Sequence, residues 1–146
     1  MNSIRIEDGS VRLCVNEDEG RQIVFNPNDL RFMDRLYEMF RYFDGVQSEY
    51  QRRMDEIAKD ETVDGFGIPS GMKARLTLLQ EVCEDMKQRI DSLFGEGTSQ
   101  AAFGELMTLD MFEQFFDGIT PYVEKASTAR VERYTKPAKR KKAVMR

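Results

Sequence analysis

Two apolar seams constrain this chain more than any other feature. The first runs Met33, Leu36, Phe40, Phe43, Gln47, Tyr50, Met54, Ile57, with Gln47 as its one polar member. The second runs Met72, Leu76, Leu79, Cys83, Met86, Ile90, Leu93. In both, steps of three and four residues alternate. An α-helix turns once in about 3.6 residues, so such steps keep side chains on one face. Each seam therefore predicts a long helix with one apolar stripe. Between them, DETVDGFGIP (60–69) holds two glycines and a proline and breaks the pattern. Matched stripes on either side of a short connector predict an antiparallel helical hairpin. The first helix is expected over 27–60, with Asn26 as N-cap, Pro27 in the first position and Gly45 as a soft spot. The second is expected from Ser70 to Phe94, with Gly95 as C-cap.

The flanks read differently. Ile4 and Ile6 alternate with polar neighbours, as do Val11, Leu13 and Val15, and Gln22-Ile23-Val24-Phe25 follows a polar turn. Period-two alternation is the signature of a half-buried strand, and Asp8-Gly9 is a hairpin signal because glycine tolerates positive φ. Residues 3–26 are thus expected to form a β-hairpin or three-stranded meander whose apolar face needs a helix to cover it. Beyond Phe94, GEGTSQAAFG (95–104) reads as a turn with a short helical piece. Leu106–Phe116 is predicted helical, with Thr108 as cap. Gly118 interrupts, and Thr120-Pro121 restarts a helix that fades near Tyr134. The fold class is α+β, mostly helical: residues 1–134 as one domain (β-meander 3–26, helical part 27–134), then a basic tail over 135–146 expected to be disordered.

Composition narrows the chemistry. The chain has no histidine, which removes the commonest general base and metal ligand. Cys14 and Cys83 stand far apart without a CxxC partner, so they suggest neither zinc nor a disulfide and are expected to be small buried apolar residues. No apolar run approaches the roughly 20 residues of a membrane span, and MNSIRIEDGS has no apolar signal region, so a cytosolic address is expected. Charge is segregated. Residues 1–124 carry 13 basic and 25 acidic side chains, and residues 125–146 carry 9 and 1. An acidic body thus precedes a basic tail.

The candidate chemistry is sparse. Gly95-x-Gly97-Thr98-Ser99 has glycines that suit a phosphate loop, but no lysine and no feeding strand, so a helix-terminating turn is the better reading. Asp60-Glu61, Glu84-Asp85 and Glu17-Asp18-Glu19 read as solvated surface, since adjacent helical residues face apart. No serine has a histidine to activate it. No catalytic, cofactor or metal residues are expected, and the chain reads as a binder and not an enzyme. Two elements are candidates for contacting a partner. One is the aromatic cluster Phe103, Phe112, Phe115, Phe116 and Tyr122, which suits either a core or an apolar groove for a partner helix. The other is the tail cluster Lys139, Arg140, Lys141 and Lys142, which suits an acidic protein surface or phosphates. No aromatic residue interleaves with that tail cluster, so nucleic acid is not favoured.

Three stretches carry a family resemblance: RIEDGSVRLCVNEDEGRQIVFNPNDLRF, IDSLFGEGTSQAAFG and LDMFEQFFDGITPYVEKA. They cover residues 4–32 and about 90–126, and the most particular motif is Phe94-Gly95-Glu96-Gly97-Thr98-Ser99 followed by Phe103-Gly104. In these the chain resembles the tail assembly chaperones of long-tailed phages and prophages of Gram-positive bacteria. The resemblance implies a non-enzymatic protein of the host cytoplasm, absent from the mature virion. Such a protein keeps the helical tape measure protein soluble and helps recruit tail tube subunits, with self-association possible. It carries no catalytic residues over. It also implies that the gene can yield a longer frameshifted product, for which the lysine-rich KRKK (139–142) is a suitable place. The alternatives are a structural subunit of the tail or connector, and a nucleic-acid-binding regulator using the basic tail.

Overall fold

A computed structural model describes residues 1–135, with side chains through Ala129; the basic tail, including Lys139, Arg140, Lys141 and Lys142, lies outside the described residues. Strand β1 (Val11–Val15) pairs antiparallel with β2 (Asp18–Phe25), with Val11 opposite Phe25 and Leu13 opposite Ile23. The expected alternation is present: Val11, Leu13, Ile23 and Phe25 face inward, and Arg12, Gln22 and Val24 face out. Asn16 and Glu17 close the hairpin with φ of 52° and 62°, the two positive angles that a tight hairpin turn of this hand requires.

The expected third strand is absent. Residues 1–10 form no strand, and Ile4 and Ile6 are 86% and 82% exposed. Asp8-Gly9 does not close a hairpin onto β1. Instead the side-chain amides of Asn26 and Asn28 donate to the carbonyls of Asp8 and Gly9, tying this hinge to the connection after β2. Gly9 has φ of +78°, and a Cβ there would lie 2.6 Å from Asn28 Nδ2, so the clamp admits only glycine. The backbone N–H of Ser10 donates to Asp8 and holds its carboxyl below the usual carboxylate range.

Helix α1 (Leu30–Ala58) starts three residues later than expected. Asn26-Pro27-Asn28 is a turn, with Asp29 N–H donating to the Asn26 carbonyl, and Asp29 is the cap that accepts from Arg31 N–H. Helix α2 (Gly71–Phe94) ends at Gly95 as expected, with Gly95 N–H on the Asp91 carbonyl. The two run antiparallel: Tyr42 meets Asp85 midway, and Ile57 meets Gly71 at the loop end, where an added Cβ would approach to 3.0 Å. At about 1.5 Å per residue, α1 is about 43 Å long. Its first half lies in the core, while its second half packs on α2 and ends in a loop with Phe66 fully exposed.

The buried stripe of α1 is offset from the predicted seam. Phe32, Leu36 and Met39 are buried, whereas Phe40 and Gln47 are exposed. On α2, Leu78 is buried while Met72 and Leu76 are exposed. The cause is that α1 has more than one neighbour. Its Phe40 and Phe43 rings turn toward Phe116 in the C-terminal part of the chain, at centroid distances of 5.2 and 6.1 Å.

The short helix α3 (Thr98–Phe103) is as expected, but α4 (Asp110–Thr135) is one continuous helix with Gly118 and Pro121 inside it. The break and restart predicted there do not occur. Phe112, Phe115, Ile119, Val123 and Ala126 stay in phase across both residues, so one apolar stripe spans them. Proline removes a single N–H, and burying that stripe outweighs the loss.

Candidate binding groove

The core gathers Ile23 and Phe25 of β2, Phe32, Leu36 and Met39 of α1, Cys83 and Ile90 of α2, Phe103 of α3, and Met111, Phe112, Phe115 and Ile119 of α4. Its centre is a chain of edge-to-face rings: Phe32–Phe94 at 5.2 Å, Phe94–Phe115 at 5.2 Å, Phe115–Phe103 at 5.5 Å and Phe103–Phe112 at 5.0 Å. Such pairs add about 0.5–1.5 kcal/mol each to simple burial.

Along one side of this core runs an open groove of about 850 Å³. Leu13, Val15 and Ile23 of the hairpin form one wall. Phe103, Met111, Phe115, Ile119 and Tyr122 form the other, with Leu106 at the lip. Leu106 is 54% and Tyr122 39% exposed, so apolar surface continues out of the groove. Five consecutive residues of one strand and turn, Arg12 to Asn16, line the groove. Neighbouring residues of a strand point to opposite faces, so it is the edge of β1 that borders the groove. Among the described residues no strand pairs with that edge. The charged residues in the lining are Arg12 and Arg21. Arg21 fixes the wall by donating to the Ala101 and Ala102 carbonyls, each at 2.8 Å, which satisfies open carbonyls at the end of α3.

The predicted aromatic residues divide. Phe103, Phe112 and Phe115 are buried, and Phe112 is only 2% exposed. Phe103 and Phe115 line the groove, Phe112 packs on Phe103 outside the lining, and Phe116 is half-buried against α1. Tyr122 is the exposed member, its ring 6.4 Å from Phe25. The hairpin wall, Leu106 and the two arginines are not among the sequence candidates. They come from three separate segments, and nothing in the sequence signals that they converge.

The remaining candidates take structural roles. The Gly95–Ser99 loop is filled by its own chain: Thr98 hydroxyl donates to the Gly95 carbonyl at 2.7 Å, and Ser99 donates twice to Asp91. Asp60 accepts from the Thr62 N–H and hydroxyl within its turn, and these bonds hold its carboxyl below the usual range. Asp85 accepts from Tyr42 at 2.8 Å and pairs with Arg89 at 3.3 Å, while the Arg89 guanidinium lies 3.2 Å from the Tyr42 ring centre. That three-residue clasp fixes α1 against α2. Cys83 is buried as expected, and burial pushes its thiol up; Cys14 is exposed on β1, contrary to expectation, because it sits on the outward half of the alternation. Among the described residues, no three His, Cys, Asp or Glu side chains are placed to hold a metal ion. No described helix is long and apolar enough to cross a membrane.

No curated protein and no solved structure matches this chain. Residues 19–144, from β2 through α4 and beyond, match a family of unknown function, DUF6673, and the chain belongs to that family.

Proposed function

We propose that this protein is a phage tail assembly chaperone and that the groove between β1 and α4 holds an apolar segment of the tape measure protein. The observation that carries the binding half of this reading is the groove itself. It is an open trough whose surface is about half apolar, with an exposed lip at Leu106 and Tyr122 and, among the described residues, no carboxylate in its lining. Large exposed apolar concavities are costly to keep in water and mark sites of association. The chaperone half rests on the resemblance in residues 4–32 and about 90–126, which supply both walls. Tape measure proteins of that kind present apolar stripes along a long chain, so many copies binding one chain gain by multivalency. The acidic body keeps a dense coat of such copies soluble.

The test is co-expression with the tape measure protein encoded in the same phage or prophage genome. The tape measure is expected in the soluble fraction only when this chain is present, and to be lost from it with Leu106→Asp/Tyr122→Asp. A tape measure equally soluble without the chain overturns the reading. So does stoichiometric presence of the chain in purified virions by mass spectrometry.

A further inference from the structure

The protein holds a segment with the pattern of a strand and no partner, and a strand edge with no neighbour. Residues 4–7 read Ile-Arg-Ile-Glu, alternating as a half-buried strand does, yet both isoleucines stand in water. The free edge of β1 borders the groove, whose lining includes Leu13, Val15 and Ile23. An extended segment laid on that edge satisfies its open backbone groups and sends every second side chain into the groove, with a spacing of about 7 Å. The charges agree: Arg12 lies on that edge, and the arm carries Glu7 to set beside it. The chain's own arm is held elsewhere. Its hinge at Asp8 and Gly9 is clamped by Asn26 and Asn28, and Gly9 could not be replaced without breaking the clamp.

We propose that the N-terminal arm of one copy adds as a third strand to the free edge of β1 in a second copy, seating Ile4 and Ile6 in that copy's groove, and that the exchange is reciprocal. A reciprocal exchange closes as a two-fold dimer and leaves no exposed β1 edge on either partner. Inward faces match, within the groove-lining part of β1, when Ile4 lies opposite Val15 and Ile6 opposite Leu13, which places Glu7 opposite Arg12 and Arg5 opposite the exposed Cys14. In the free protein the arm then covers the groove. The dimer does not depend on what client the groove takes, since it is measured with no client present.

The experiment uses the full chain. Sedimentation at micromolar concentration is expected to give a dimer, and Ile4→Asp/Ile6→Asp to give a monomer with an unchanged circular dichroism spectrum. The Arg5→Cys variant, oxidised with oxidised glutathione, is expected to run as a covalent dimer on a non-reducing gel. That band is expected to disappear with Cys14→Ser or with the paired aspartates. A wild-type monomer overturns the proposal, as does a dimer that the paired aspartates leave intact. In the Arg5→Cys variant, a monomer whose introduced thiol is bridged to Cys14 of the same chain also overturns it and assigns the edge to that chain's own arm.

Discussion

The Asp91 carboxylate accepts from both the backbone N–H and the hydroxyl of Ser99, at 2.7 and 2.8 Å. This one side chain joins the end of α2 to the start of α3 and fills the turn that the glycines open. Hydrogen bonds to a charged, half-buried acceptor are worth more than neutral ones. Asp91→Ala is therefore expected to lower unfolding free energy by about 1–3 kcal/mol, measured by urea denaturation. A loss under a few tenths of a kcal/mol refutes the role given to this bond.

The aromatic cluster separates by position. Phe112→Ala empties a site that is 2% exposed and is expected to cost about 3–5 kcal/mol of stability. Tyr122→Ala removes a ring that is 39% exposed. It is expected to cost about 1 kcal/mol or less while weakening client capture about tenfold. Denaturation of both variants, beside pull-down of the proposed tape measure client by the second, checks the division.

Helix α4 makes a prediction through its breakers. Gly118 has an ordinary helical backbone and open space where a Cβ would stand. Gly118→Ala is expected to stabilise the fold by roughly 0.5–1 kcal/mol. Pro121→Ala returns a donor to the Asp117 carbonyl and is expected to stabilise it by up to about 3 kcal/mol. Two separate helices meeting at 118–120 predict instead that Pro121→Ala is neutral, because proline suits a first helical position. Thermal denaturation distinguishes the outcomes.

The two thiols differ in access. Cys14 is exposed, and Cys83 is buried with its thiol pushed up by burial, so less of it is thiolate at a given pH. Ellman's reagent at neutral pH is expected to titrate one thiol per folded chain rapidly and the second only on unfolding. Because folding favours the protonated Cys83, its contribution to stability is complete below the ordinary thiol range. It is lost as pH rises above about 8.5–9. Cys83→Ala is expected to remove that alkaline loss at some cost in packing.

Much of the fold is legible in the residues, because local physics writes it there. The 3–4 spacing specifies two long helices, the 60–69 segment stops one before the other, Gly95 ends α2, and the alternation at 11–15 and 22–25 specifies the hairpin. Misreadings fall where a residue's role depends on a distant neighbour. Phe40 fits the predicted seam but turns to Phe116, and Pro121 looks like punctuation until the stripe on both sides is buried together. The groove is only half legible. Phe103, Phe115 and Tyr122 stand out in the sequence as aromatic, yet the facing wall of Leu13, Val15 and Ile23 reads simply as strand.

The sequence by itself determined the two helical periods, the hairpin alternation, the acidic body with its basic tail, and a set of residue types poor in catalytic groups. These follow from spacing and composition, which act within a few residues. Only the tertiary structure decided which rings are core and which border the groove. Only it left the edge of β1 open, and only it held Ile4 and Ile6 in water. Those outcomes depend on how α3 and α4 pack against the hairpin, and on two asparagines about 20 residues beyond the hinge they clamp. Contacts of that range are set by burial of the whole core, and no local pattern encodes them.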